Sequence, residues 1–406
     1  MKQSILILLA TFPILSAGTP EPVMTLLPSQ GDWIKPLIDI RARYEFADIE
    51  GKDQSNAFTI RERLGLQTMD WNGFSVLVEG EFSQAIGDDY HGGPAGVTPF
   101  DPSNSLIADP ETNELNQAYL QYSGYNTVAR VGRQRIIYDN AAFIGNVGWR
   151  QNEQTFDAIF ISGKWIDSLT INYAYIEQVN RIFGSDAAGK GSSVDSEVHA
   201  LNLSYTGIEG IKLGGYAYIM EFADLPVWDN RTYGGSAAGK LAGLDLYGEV
   251  AWQEDAGAAG NSDAFYFHAK ATKSLFEKQS LIVGIESLDA GFKTPLATIH
   301  AFNGFSDAFL GGRASGGHNG LTDTYVSHSM PLCWGLKWIN VLHAFGDNEI
   351  SSGYGWEYDS VLVKKFDINF TAIAKFAYFE SRGDPFVGAG TLSDTTRFSI
   401  ELNYKF

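Results

Sequence analysis

The chain has 406 residues, rich in glycine (44), phenylalanine (26), tyrosine (19) and tryptophan (9), with charged residues at only 19% and a formal net charge of -19. This composition excludes a disordered chain, and the acidic balance argues against nucleic acid as a partner. One cysteine, Cys333, excludes an internal disulfide.

The chain opens with MKQSILILLATFPILSAG: one lysine, an apolar run from Ile5 to Leu15, then Ser16, Ala17 and Gly18. This is the layout of a secretory signal peptide, so residues 1–18 are predicted to be removed on export, leaving 19–406 as a single domain. No later segment reaches the length of continuous apolar sequence that a membrane-spanning helix needs.

Ile38 to Phe46, IDIRARYEF, alternates without exception: Ile38, Ile40, Ala42, Tyr44 and Phe46 on one face, Asp39, Arg41, Arg43 and Glu45 on the other. A period of two is the mark of a strand with two different environments. The last residues, TRFSIELNYKF, repeat the pattern, with Phe398, Ile400, Leu402, Tyr404 and the terminal Phe406 opposed to Arg397, Ser399, Glu401, Asn403 and Lys405. About eighteen such segments are predicted: 34–47, 56–70, 72–84, 113–123, 126–137, 153–163, 168–180, 195–206, 209–222, 230–238, 241–254, 262–275, 279–289, 322–330, 334–347, 354–364, 367–380 and 395–406.

Between them, long connections (85–112, 138–152, 181–194, 290–321, 381–394) alternate with tight ones such as WNG, SGYN, TGIEG, PLC and KFD. Long loops at one end and turns at the other predict an all-β fold, a transmembrane antiparallel up-and-down barrel of the outer membrane of a Gram-negative-type bacterium. A soluble sandwich or propeller also uses many short strands, but does not alternate loop lengths in this way. In such a barrel the apolar face meets outer-membrane lipid, the charged face lines the lumen, and closure leaves no backbone edge unpaired in hydrocarbon. The terminal aromatic strand is expected to engage the barrel-insertion machinery during assembly.

Eight of the thirteen arginines lie between residues 41 and 150. A first hairpin turning near Gly51–Asp53 sets Arg43 opposite Arg61 and Arg41 opposite Arg63; a second at WNG sets Glu81 opposite Arg63 and Glu79 near Gly65. Opposed like charges destabilise a sheet. Two readings follow: a lumenal ion-pair lattice that stiffens the wall, or a track for an anionic solute, since arginine binds carboxylates bidentately.

Residues 113–163, NELNQAYLQYSGYNTVARVGRQRIIYDNAAFIGNVGWRQNEQTFDAIFISG, resemble the signature region of the alginate-export family of outer-membrane barrels, as do TPLATIHAFNGFSDAFLGG at 294–312 and RERLGLQT near the start. The resemblance implies an 18-stranded barrel passing an anionic uronate polymer through a pore lined by arginine and lysine. It supports Arg41, Arg43, Arg61, Arg63, Arg130, Arg133, Arg135 and Arg150 as pore or motif positions; with Glu79 and Glu81 these form the candidate lumen-lining set. Beyond residue 163 only five of the thirteen arginines remain, which argues against a lumen lined by arginine all round. The implied partner is an anionic polysaccharide or oligosaccharide. A general or oligosaccharide-uptake porin, and a structural or receptor barrel closed by its loops, are the alternatives.

Structural roles compete at several motif positions. Gly132 and Gly148 fit close backbone approach or a bulge, Trp149 an interface girdle, and Arg150 with Glu153 and Asp157 a pin holding loop 138–152 to the wall. Asp88, Asp89, Asp101, Asp109 and Glu111 in loop 85–112 supply oxygens of the kind Ca²⁺ takes, but without EF-hand spacing, so a solvated acidic loop is expected. There is no G-x-S-x-G, no H-E-x-x-H and no Cys/His metal spacing, so no catalytic site, metal or cofactor is predicted.

Overall fold

In the computed structural model, which describes residues 33–256, 262–348, 353–366, 369–386 and 390–406, eighteen antiparallel strands close into one barrel. The expected signal segment, 1–18, lies outside the described residues. In chain order the strands are β1 (Ile34–Ile49), β2 (Ser55–Thr68), β3 (Phe74–Ala85), β4 (Thr112–Gly124), β5 (Thr127–Gln134), β6 (Thr155–Ile166), β7 (Leu169–Asn180), β8 (Ser193–Ile208) and β9 (Ile211–Phe222). They continue as β10 (Asn230–Leu241), β11 (Leu244–Ala256), β12 (Ser262–Ser274), β13 (Ser280–Leu288), β14 (Leu321–Pro331), β15 (Leu336–Gly346), β16 (Gly353–Lys365), β17 (Phe370–Ser381) and β18 (Thr395–Lys405). Each pairs with its sequence neighbours, and β18 pairs with β1 from Asp39↔Lys405 to Ile49↔Thr395, which removes the sheet edges that hydrocarbon would not tolerate.

The period-two pattern sets the faces. Leu64, Leu66, Val76, Val78, Val131, Ile159, Val250, Phe265, Leu342, Ile400 and Leu402 stand exposed on the outside, while Arg43, Glu45, Arg61, Glu81, Glu249, Glu286, Glu357, Asp359 and Glu401 are buried inside. Glu62 interrupts the outer apolar row of β2 between Ile60 and Leu64. Turns close the even-to-odd connections; between β4 and β5, Tyr125 and Asn126 both take positive φ (50° and 58°), the type I′ geometry that matches strand twist. The long connections all leave from the opposite end, the outer end in barrels of this kind.

The first hairpin corrects one expected register. Arg41 faces Arg61, Arg43 faces Thr59 and Asp39 faces Arg63, because the ladder closes at Ala47↔Ser55 and the chain turns around Gly51 (φ 87°), two pairing positions from the expected register. A slip of two preserves the faces, so burial does not resist it and the turn decides. In the next hairpin Arg63↔Glu81 and Gly65↔Glu79 pair as predicted.

Two of the long loops fold into the lumen instead of standing above it. Residues 135–154 and 289–320 meet through an Ile144↔Leu296 bridge, Gly145 N donating to Leu296 O (2.9 Å) and Thr298 N to Ala141 O (3.0 Å). Phe143, Phe292 and Leu296 of these loops pack with Tyr216, Tyr218 and Tyr266 of the wall in one buried cluster, so a barrel wide enough for water has a packed interior across this level.

Candidate functional site

The inner wall of β1, β2, β3 and β18 holds a compact ion-pair network. Arg43 Nη2 donates to Glu401 (2.7 Å) and to the carbonyl of Trp149 (2.5 Å), and its Nη1 to Asp109 (3.1 Å). Arg41 donates to Asn403 (2.9 Å) and to the carbonyls of Gly148, Trp149 and Arg150. Arg61 pairs with Asp39, and Arg63 with Glu81 and, at 3.5 Å, Glu153. Arg135 Nε donates to Glu153 (2.7 Å), while Glu79 accepts from Asn116 (2.8 Å) and Gln117 (3.0 Å). Arg43, Arg61, Arg63 and Arg150 are at most 5% exposed, so these four guanidinium groups hold protein acceptors rather than facing open water.

Arg150 does pin its loop, but to other partners than the sequence suggested. It reaches Glu45 on β1 (3.2 Å) and Asp307 in the second inward loop (2.6 Å), whereas Glu153 serves Arg135 and Arg63, and Asp157 serves Arg133. Among these loop groups, burial depresses Arg150 but Glu45, Asp307 and Asp109 outweigh it and raise its pKa. Burial pushes the Glu153 carboxyl up, yet Arg135 and Arg63 hold it well below the usual carboxylate range. His300 is lowered to about 4, burial leading and Lys375 and Arg150 adding to it against Asp307.

Trp149 is not a girdle residue. It lies in the lumen with its ring centroid 3.7 Å from Arg43 Cζ and 3.4 Å from Lys375 Nζ, and stacks on His300 at 4.7 Å and 3°. Gly132 (φ 120°) does mark close approach: a Cβ there would sit 2.3 Å from the Ala118 carbonyl oxygen. In loop 85–112, Asp109 turns inward to accept from Arg43 and from Gln151 N (2.7 Å), Asp101 caps its own turn through Ser103 N (3.0 Å), and no metal-holding group of His, Cys, Asp and Glu gathers among the described residues.

Two predicted lining residues stand apart from the network. Arg130 faces the lumen below it, donating to Gln121 (2.7 Å) with Tyr119 and Phe160 beside its guanidinium (5.1 and 5.8 Å). Arg133 shares the face of Val131, the outer one, and is paired there with Asp157 at 2.7 Å, so it does not line the lumen. Their spacing already held that signal, since residues three apart on a regular strand point to opposite faces.

Sequence reasoning also missed a second basic tier. Laid out by register, Lys35 on β1, Lys212 on β9, Lys240 on β10, Lys270 on β12, Lys337 on β15, Lys365 on β16 and Lys405 on β18 fall on inward positions towards the turn end, and Lys164, past the last regular pair of β6, joins them by alternation between Gly163 and Trp165, which share the outer face of Thr127. The inward carboxylates closest to that end are Asp245, paired with Lys240 at 2.7 Å, and Asp39, 3.3 Å from Lys405. Thirteen of the sixteen lysines lie beyond residue 163, and strand geometry places seven of them round the mouth, so the turn end of the lumen carries lysine on the later strands too.

Residues 33–175, from β1 through most of β7, match the model of the alginate export family. Among solved structures, Pseudomonas aeruginosa OpdQ is 13% identical with a TM-score of 0.67, covering 92% of this chain and 99% of that one. Acinetobacter baumannii OccAB4 is 13% identical with a TM-score of 0.69, covering 93% and 99%. Pseudomonas aeruginosa OpdK, solved with vanillate, is 12% identical with a TM-score of 0.67, covering 92% and 98%. No curated protein matches the chain. At such identities the structural likeness concerns the fold, that of an outer-membrane porin-like barrel.

Proposed function

We propose that the barrel is a passive outer-membrane channel for anionic saccharides, uronate oligomers or polymers, admitted through a positively charged vestibule at the turn end. The observation that carries this reading is the tier of eight inward lysines in a chain of net charge -19, with Asp39, Asp245 and, one inward position above Lys270, Glu249 as the carboxylates beside it. A lumen lined by one sign of charge with low-dielectric walls concentrates ions of the other sign. The alginate export match over residues 33–175 supports the saccharide class. Arg41, Arg43, Arg61, Arg63, Glu79, Glu81, Arg135 and Arg150 act in this reading as the frame that fixes the inward loop, with Arg130 at its solvent side. The test is block of single-channel current by oligouronates against neutral oligosaccharides of equal length: stronger block by the acids supports the proposal, and equal block removes it.

A second reading, a barrel whose lumen its loops keep closed, is favoured by the Ile144↔Leu296 bridge and the Arg150 contacts that join both inward loops to β1. It predicts negligible conductance until those contacts are broken, where the first predicts steady conductance in the native chain.

A further inference from the structure

Glu62 is exposed on the lipid side of β2, the eighth of its fourteen residues, and lies directly opposite Ile40 on β1 and Phe82 on β3. Its side chain has no hydrogen bond or ion pair with any described residue. Other outward carboxyl groups, such as Glu221 and Glu254, stand at the loop ends of β9 and β11, where headgroups and water reach. A polar group surrounded by hydrocarbon is costly unless a partner meets it, so a carboxyl at mid-strand calls for a protein face rather than lipid.

The same chain carries a matching face. His328 on β14, Asn340 on β15 and Ser360 on β16 are directly opposed in one row. Ile339, Val341, Asp359 and Val361 on either side of them are buried inside, so the row points outward by alternation. It too lies near mid-strand, at the eighth of eleven, fifth of eleven and eighth of thirteen residues. Tyr358 donates to Asn340 Oδ1 (2.6 Å), Trp338 Nε1 donates to Ser360 Oγ (2.8 Å), and His328 Nε2 is 3.0 Å from Gln279 Oε1. Asn340 and Ser360 act as acceptors in these bonds, so the Asn340 amide N–H groups and the Ser360 hydroxyl hydrogen are left to donate, and no described residue accepts from them.

We propose that the outer wall of β1–β3 docks against the outer wall of β14–β16 of a second copy of this chain, with the Glu62 carboxyl accepting from that copy's Asn340 amide and Ser360 hydroxyl. The match is chemical and positional. One face carries an acceptor without donors, the other donors without an acceptor, and in copies inserted the same way both lie near the middle of the membrane. The chain therefore supplies both halves of the contact itself. The two faces lie four to six strands apart round the wall, so the contact is head-to-tail and closes by rotation into a ring of a few copies. The lumens of such a ring stay separate, and each keeps its own path.

The test uses the full-length chain in outer membranes, with Cys333→Ser removing the native thiol. Glu62→Cys/Asn340→Cys, oxidised with copper phenanthroline, should give a ladder of linked copies, while either cysteine alone should give none. Linking of Glu62→Cys to itself would mean a two-fold contact, an adduct of some other mass a different partner protein, and no ladder at all a solitary barrel; each of these overturns the proposal. In mild detergent, light scattering should give a multiple of the one-chain mass for the native barrel. Glu62→Leu and Asn340→Leu/Ser360→Ala should each fall to the mass of one chain while keeping heat-modifiable folding. An assembly unchanged in Glu62→Leu would place the contact elsewhere and overturn the proposal as well. None of these readouts depends on which solute the channel passes.

Discussion

The ammonium of Lys375 on β17 sits 3.4 Å from the ring centroid of Trp149, so a wall residue from one end of the chain grips a loop residue from another. Arg43 covers the same indole at 3.7 Å, and desolvated contacts of this kind are worth about 2 kcal/mol or more. Trp149→Ala is therefore expected to lower barrel stability by about 3–5 kcal/mol, the usual range for removing a buried tryptophan. It should also raise single-channel conductance, because the loop it anchors crosses the lumen. Loss of stability with unchanged conductance would mean that the loop does not limit flow.

Arg43 tests the frame itself. With Glu401 and Asp109 as partners and almost no exposure, Arg43→Gln should cost about 3–5 kcal/mol, the range for leaving a buried charge without its partner. Ion selectivity should change little. Thermal unfolding and reversal potential measured on the one variant check both halves, and a large selectivity change at full stability would mean that Arg43 faces the permeating ion.

Acid should weaken the inward loops through two histidines. Burial lowers His300 and His318 from 6.5 to about 4, so between those values the unfolded chain binds protons that the folded chain does not. The stability this depression implies is intact above about pH 6.5 and is lost as pH falls towards 4, with a limiting slope of about 1.4 kcal/mol per pH unit for each histidine. In His300→Gln the slope measured by urea unfolding across that window should fall by up to about 1.4 kcal/mol per pH unit, the share of one histidine. An unchanged slope would assign the acid sensitivity to other groups.

Orientation can be read from the single cysteine. Cys333 is exposed in the β14–β15 turn, at the end opposite the long loops. A membrane-impermeant maleimide should leave it unlabelled on intact cells and label it once the outer membrane is opened, while a cysteine introduced at Ser103 in the β3–β4 loop should label on intact cells. The reverse pattern would invert the barrel.

Much of this fold was legible because a barrel writes itself locally: alternation gives strands and faces, and the alternation of loop lengths gives the up-and-down order. Arg63 and Glu81 were found opposite each other because WNG leaves one way to turn. The first hairpin was misregistered by two because faces constrain only parity. The burial of Trp149 and the Arg150–Asp307 contact were not legible, since they join loops more than a hundred residues apart and neither loop carries a period that announces its direction. The lysine tier escaped because each strand contributes a single residue, and only pairing across the wall assembles them.

The reversal potential in a potassium chloride gradient, measured for the native barrel and for the Lys164→Gln/Lys212→Gln/Lys270→Gln variant, tests the central claim most directly. These three side chains face inward near the turn end, outside the arginine network of β1–β3 and β18; Lys212 is within electrostatic reach of Asp139 in the first inward loop and Lys270 of Glu249, so the melting temperature is measured on the same variant. The account predicts an anion-preferring native channel whose preference falls in the variant, with the difference shrinking at high salt as screening shortens below about 8 Å. A native channel with no anion preference, or a preference untouched by removing three lysines, would contradict it.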